Sequence, residues 1–388
     1  MYNAVLVKYS GEIPLKSSPV RSKWEKKLID NIIARLKAKG LRFEKIRKEG
    51  GRLFIYTDKP REVSLEVSKV FGVIEADPVI EIDNRIETIR KTVLELARKV
   101  ICPGDTFAVR ARRIKDYPIT SKEIERILGA DILRELSDRG IRVKLDNPDK
   151  TIFIEVRETT AYVYAETIKG VGGLPYGVSG KLVALFSGGM DSVLATWLMM
   201  RRGAEIVPVH FDLTPHYGSD AKERAMKALK WLREWVLGFP FKAYIVNIGK
   251  IHSETRLFDE RYRCIFCKYL MYRIGERIAI EEEAHGIVTG ESLSQVASQT
   301  PVNLKFLSKA VSLPIYRPVI WMDKTEIAHM LQKTNGYSVT AKRVLACKLA
   351  PKHPITAVKD NVAENIESMV TEELVEEALR DSEIILLD

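Results

Sequence analysis

The chain has 388 residues, 46% of them hydrophobic, and a net charge of +10. That length allows two or three domains with cores of their own, while no apolar run reaches the ~18–20 residues that a bilayer span requires. The N-terminal stretch MYNAVLVKYSGEIPLKSS has no basic segment ahead of an apolar one, so no secretory leader is expected and a cytoplasmic location is. The charge is lopsided: residues 1–60 hold 15 Lys and Arg against 6 Asp and Glu, whereas residues 61–180 hold 20 of each. A local excess of that kind marks a surface for a polyanion, nucleic acid first, ahead of the plainer reading of a solvated basic face.

In chain order, AVLVKY reads as a strand and SKWEKKLIDNIIARLKAKG as an amphipathic helix. FEKIRK and RLFIYT read as two short strands joined at Gly50-Gly51, followed by the helix EVSLEVSKVFG and the strand VIEADPVIEI. The order β-α-β-β-α-β is the ferredoxin-like pattern. A helix (ETIRKTVLELARKV), a strand (TFAVRARR) and a second helix (SKEIERILGADILREL) come next. Two alternating strands, RVKLD and TIFIEVRETTAYVYAE, flank the turn Asn147-Pro148-Asp149. Lys169 to Gly180 is rich in Gly and punctuated by Pro, and reads as a linker. From Lys181 the rhythm changes to apolar strands (KLVALF, EIVPVHF, KAYIVNI, HGIVTGE) separated by helical stretches, which predicts a doubly wound parallel sheet.

Ser187-Gly188-Gly189-Met190-Asp191-Ser192 lies between the strand KLVALF and the helix VLATWLMMRRG. Glycines at a helix N-terminus let backbone N–H groups close on an anion, and the helix dipole adds to their pull. The lysine of the Walker pattern is missing. S-G-G also occurs in ordinary turns, but the strand before, the helix after and the Asp-Ser finish favour a phosphate loop.

SGG-x-DS resembles the signature of the PP-loop ATP pyrophosphatases. KYSGEIPLKSSPVRSKWEKKLIDNI, VHFDLTP, TGESLSQVASQT, RPVIWMDKTEI and CKLAPKHP extend the resemblance across the chain to the tRNA 4-thiouridine synthetases. This likeness implies an N-terminal ferredoxin-like domain at 1–60, its last helix and strand reaching about residue 80, a THUMP RNA-binding domain at 61–170 and a PP-loop domain at 171–388. It implies Mg-ATP as cofactor, with Leu185 and Phe186 meeting the nucleotide through their backbone and Ser187, Gly188, Gly189, Asp191 and Ser192 around its phosphates. His210 and Phe211 match the adenine-side pair; Lys268 (often Arg in relatives), Gly290 and Gln299 match further ATP contacts. Asp191, Lys324 and Cys347 match the catalytic residues. The reaction implied is adenylation of uridine O4 at tRNA position 8, then replacement of AMP by sulfur. Thiolation of another tRNA nucleoside, and a tRNA-binding module without catalysis, are the alternatives. A role in thiamine synthesis is disfavoured because the rhodanese domain of many bacterial relatives is not seen before Asp388. The partners expected are tRNA and a sulfur donor, either sulfide or a persulfide carrier; no membrane is expected, and a homodimer is the assembly considered.

Four cysteines remain. Cys264 and Cys267 form C-x-x-C at a helix entry, where a thiol is expected to ionise more easily. With Cys347 they can be read as a zinc site completed by His353, as a persulfide and its resolving thiols, or as the three ligands of a [4Fe–4S] cluster with one iron open. Likeness to cluster-dependent relatives puts the cluster first. Cys102 reads as a small buried hydrophobe.

Overall fold

The computed structural model describes residues 1–387 apart from Arg256, Phe258, Arg343 and Ala346. The chain divides into two compact units, one of Met1–Arg21 and Arg35–Gly172, the other of Ser22–Ala34 and Gly173–Asp388.

The first unit contains β1 (Ala4–Tyr9), β2 (Lys45–Glu49), β3 (Arg52–Tyr56), α2 (Pro60–Val67), β4 (Val73–Asp83), α3 (Ile86–Val100), β5 (Thr106–Arg113), α4 (Ser121–Glu135), β6 (Arg142–Val143), β7 (Lys150–Val156) and β8 (Thr160–Tyr164), together with the ends of α1 (Ser18–Ala38). The strands form one sheet in the order β2-β3-β1-β4-β8-β7-β5-β6. β4 joins its two halves: Val73 to Val79 pair antiparallel with β1, and Ile80 to Asp83 pair antiparallel with β8. Alternation sorts the side chains. Ile152, Ile154 and Val163 pack with Ile89, Val93, Ile124, Leu128 and Ile132 of α3 and α4. Their neighbours in sequence, on the other face, add to a cluster of Leu6, Phe54, Val79, Tyr162 and Tyr164, in which Phe54 stacks on Tyr162 with ring centroids 4.4 Å apart. Thr120 caps α4 in a reciprocal capping box with Glu123, which satisfies two otherwise orphan N–H groups.

Three details differ from the sequence reading. The stretch TIFIEVRETTAYVYAE is not one strand but the hairpin β7–β8, with Phe153 opposite Tyr164. Sixteen residues are far longer than a typical strand, and the polar run Arg157-Glu158-Thr159 turns the chain. RVKLD contributes only the two residues of β6, which pair with β5 rather than with β7. Cys102 is exposed, not buried: it has left α3 and its N–H donates to Asp105 Oδ2 at 2.8 Å in a surface turn.

The second unit runs β9 (Lys181–Leu185), α5 (Met190–Arg201), β10 (Glu205–Asp212), α6 (Ser219–Arg233), β11 (Phe241–Asn247), α7 (Gly249–Glu254), α8 (Arg263–Glu281), β12 (Ile287–Val288), α9 (Pro301–Ser308), β13 (Ile315–Tyr316), α10 (Lys324–Lys333), α11 (Tyr337–Thr340), α12 (Asp360–Met369), α13 (Glu372–Arg380) and β14 (Glu383–Leu387). Its sheet has the order β13-β12-β9-β10-β11-β14. The first five strands are parallel, as the strand–helix rhythm predicts, and β14 is an antiparallel edge that the sequence reading did not place. The chain leaves β9 toward β10 and β11 and later returns to β9's other side as β12. The order therefore reverses at β9, and the crevice beyond its C-terminal end is the place where open parallel sheets bind ligands. Among the described residues no helix is long and apolar enough to cross a membrane.

Candidate active site

The segment Phe186 to Gly189 leaves β9 at this reversal. Gly188 has φ of +72°, and a Cβ there would lie 2.5 Å from the Cα of Ala225 on α6, so only glycine fits. Two serines brace the turn: Ser187 Oγ and Ser192 Oγ are 3.0 Å apart, the Ser187 N–H donates to Ser192 Oγ at 3.2 Å and the Gly189 N–H to Ser187 Oγ at 3.3 Å. α5 then starts at Met190, directing its first free N–H groups into the crevice. Gly290, just past β12, closes the opposite wall; a Cβ there would stand 2.5 Å from Ser192 N.

A pocket of about 210 Å³ opens beside the loop, lined by Leu185, Ser187, Asp191, Ser192, Lys268, Gly290 and Gln299, all expected, and by Met271, Tyr272, Thr289 and Glu291, which were not. Phe186, Gly188 and Gly189 belong to the loop without lining the pocket. His210 is buried, its Nδ1 2.9 Å from the Phe186 carbonyl oxygen, and Phe211 is buried in the hydrophobic core. Burial lowers the pKa of His210, so its neutral form is favoured.

Asp191 sits in the first turn of α5. Lys324 Nζ donates to its Oδ1 at 2.7 Å and its Oδ2 at 2.5 Å, and Gln295 Nε2 donates to Oδ2 at 3.2 Å. The position of Lys324 at the start of α10 opposes the helix dipole, and this ion pair compensates it. Gln295 escaped the sequence reading although it lies within TGESLSQVASQT.

Glu291 is a second buried node. It accepts from Tyr272 Oη at 2.7 Å, Thr289 Oγ1 at 3.1 Å, Lys268 Nζ at 3.1 Å and Arg317 Nε at 2.8 Å. Burial on its own would raise its carboxyl, but Lys268, Arg317 and Tyr272 outweigh that and hold it below the usual range. The glutamate fixes Lys268 at the pocket wall. Gln299 Oε1 is buried with no hydrogen-bond partner among the described residues.

Cys264 lies in the first turn of α8 and Cys267 at the start of the second, and Cys347 follows α11. Lys348 N–H donates to the His216 carbonyl at 2.9 Å and Leu345 N–H to Asp220 Oδ2 at 3.1 Å, which ties the neighbourhood of Cys347 to the start of α6. The three thiols lie within electrostatic range of one another. The expected lowering of thiol pKa at a helix entry is not found: burial pushes Cys264 and Cys267 up, and the other thiols raise them further. Desolvation exceeds the pull of the dipole here. Among the described residues no group of three or more His, Cys, Asp and Glu is arranged around a single metal ion. His353, the proposed fourth zinc ligand, belongs to no such group.

Comparisons with known proteins agree with this architecture. Residues 177–371 match the thiamine biosynthesis protein (ThiI) family, residues 83–166 the THUMP domain and residues 4–76 the ThiI ferredoxin-like domain. These define a THUMP-containing nucleotide-loop protein. A probable tRNA sulfurtransferase of Methanosarcina mazei is 38% identical over 389 residues, covering 99% of this chain and 96% of its own. One of Thermococcus kodakarensis is 37% identical over 366 residues, covering 92% and 93%. The crystal structure of a 4-thiouridine synthetase–RNA complex with bound ATP superimposes with a TM-score of 0.86 at 31% identity, covering 100% of both chains. The chain belongs to the tRNA sulfurtransferase family, whose 4-thiouridine synthetases share its fold.

Proposed function

We propose that this enzyme binds Mg-ATP in the switch-point crevice, adenylates uridine O4 at position 8 of tRNA and replaces AMP by sulfur to give 4-thiouridine. The observation that carries the reading is the braced glycine loop ahead of α5, closed by Gly290 and followed at once by the Asp191–Lys324 pair. The related 4-thiouridine synthetase with bound ATP and RNA supports it. The loop N–H groups and the start of α5 cradle phosphates. Asp191 orients Lys324 toward the α-phosphate and supplies a carboxylate for the magnesium ion that accompanies the nucleotide. The free acceptor of Gln299 suits an exocyclic amino group such as that of adenine.

In the first step uridine O4 forms a bond to the α-phosphorus, the bond to the β-bridging oxygen breaks and pyrophosphate leaves with that electron pair. In the second, hydrosulfide adds to C4 and AMP leaves with the C4–O4 bond pair, giving the thiocarbonyl after loss of one proton. A base in folded tRNA must be splayed out to reach such a site. The THUMP-bearing unit holds the tRNA through phosphates and shape.

Cys264, Cys267 and Cys347 suit a [4Fe–4S] cluster. Among the described residues they do not converge on one ion, and sharing a cluster demands wider sulfur spacing than clasping one metal. When bound, such a cluster presents one iron without a protein ligand to exogenous sulfide. Burial keeps Cys264 and Cys267 protonated until a cationic centre repays the ionisation.

The test is anaerobic incubation with tRNA, ATP and sulfide, followed by nucleoside mass spectrometry and by iron and acid-labile sulfide analysis. We expect 4-thiouridine and close to one cluster per chain. Cys264→Ala, Cys267→Ala or Cys347→Ala should lose both, and Cys102→Ala neither. A fully active, iron-free protein refutes the cluster, and 2-thiocytidine as product refutes the choice of nucleoside.

A further inference from the structure

The cations around the loop differ in how they are neutralised. Lys324 is paired with Asp191, and Lys268 and Arg317 share Glu291. Arg224, on α6, is another matter. Its Nη2 lies 3.4 Å from the Ser187 carbonyl oxygen and 3.7 Å from where a Cβ on Gly189 would stand, so the guanidinium borders the loop. Its Nη1 lies 3.4 Å from the carbonyl oxygen of Lys342. Among the described residues it makes no ion pair, and its Nε has no hydrogen-bond partner. The Lys342 carbonyl stands five residues before Cys347, so the guanidinium connects the phosphate loop to the segment that carries this cysteine.

Both bonds of Arg224 are long and end on neutral carbonyls. A phosphate oxygen offers the same donors a shorter, charge-assisted, bidentate partner. We propose that Arg224 is a catalytic residue that binds the β- and γ-phosphates of ATP and then the departing pyrophosphate. In doing so it gives up the Lys342 carbonyl, so that filling the loop loosens the segment leading to Cys347. The guanidinium donates hydrogen bonds to the oxygen that receives the electron pair of the broken P–O bond, and it keeps all its protons. Lys342 Nζ to Glu223 at 3.0 Å and Leu345 N–H to Asp220 remain as ties, so the segment relaxes without detaching from α6. Nucleotide occupancy is thereby felt where sulfur is delivered, which would order adenylation before thiolation.

This inference rests on the ATP-binding reading, and the experiment separates the two. Equilibrium binding of inorganic pyrophosphate, ATP and AMP is measured on the full chain, on Arg224→Gln and on Arg224→Lys. Removing one charged hydrogen-bonding partner should weaken pyrophosphate and ATP about 10- to 100-fold. AMP should bind within about twofold of wild type, which also shows that the variant is folded, and Arg224→Lys should fall in between. Hydrogen–deuterium exchange at residues 344–350 should rise on adding pyrophosphate to wild type and stay level in Arg224→Gln. Wild-type affinity for pyrophosphate in Arg224→Gln, or an equal loss of AMP, overturns the assignment. A binding loss with no exchange response overturns the link to Cys347. A wild type that binds none of the three overturns the ATP site, and Arg224's role with it.

Discussion

Asp191 is held by one cation and one amide, and both partners serve to aim rather than to bury it. We expect Asp191→Ala to lower thiolation at least about 100-fold, the scale of losing a preorganised electrostatic group, with tRNA affinity within about twofold. Product formation at the wild-type rate would remove Asp191 from the chemistry. His252 offers a different residue-level test. Its ring is buried against Phe266, and both nitrogens are without partners among the described residues. Burial first, then the charges of Arg263 and His216, lower its pKa to about 4, with only Glu260 opposing. The folded chain therefore resists a proton that the unfolded chain takes up near 6.5. Stability from this group is complete above that pH and is lost as pH falls toward 4, by on the order of 3 kcal/mol. Denaturant titrations at pH 7 and pH 4.5 should show a shallower acid loss for His252→Leu. At this scale the loop and the Asp191–Lys324 pair were legible because they sit in short recognisable motifs. Glu291, Gln295 and Arg317 also fall inside the quoted motifs TGESLSQVASQT and RPVIWMDKTEI, but a motif does not say which side chains meet, and only the fold brings Glu291 to Lys268 and Arg317 and Gln295 to Asp191.

At the level of elements, the contact between the phosphate loop and α6 decides what the loop can be. Gly188→Ala would force a left-handed backbone on alanine and drive its Cβ into Ala225. The expected cost is on the order of 2 kcal/mol in denaturant unfolding, together with impaired ATP binding. Unimpaired ATP affinity in that variant would mean that the loop holds no phosphate. Strands with a clear apolar run, such as KLVALF and EIVPVHF, were readable from the sequence because burial on both faces writes itself into composition. β14 and the two-residue β13 were not, since short edge strands are defined by the neighbour they pair with. The β7–β8 hairpin was hidden for another reason: the polar run Arg157-Glu158-Thr159 holds no Gly, Pro or Asn to signal a turn, so two alternating segments read as one strand.

For the whole molecule, we expect the basic excess of residues 1–60 to be the handle on tRNA. Deleting that stretch is not a clean test, because β1 lies inside the sheet between β3 and β4. The informative change is Lys37→Gln, Arg42→Gln and Lys48→Gln together, which removes three cations from the surface of the basic stretch while leaving β1 in place. The slope of log K against log salt should flatten by up to about one unit for each phosphate that is no longer neutralised. An unchanged slope would place the tRNA on another face.

β4 has one further consequence. A strand of eleven residues whose beginning pairs with β1 and whose end pairs with β8 leaves no seam along which the two halves could separate. The ferredoxin-like and THUMP matches, 4–76 and 83–166, meet within the single strand β4. Heat should therefore melt them together, and amides of β1 and β8 should share one opening free energy in native-state hydrogen exchange. A recombination point placed within β4 would cut the strand on which both halves depend, so exchanging either match alone should leave its partner without half of its sheet.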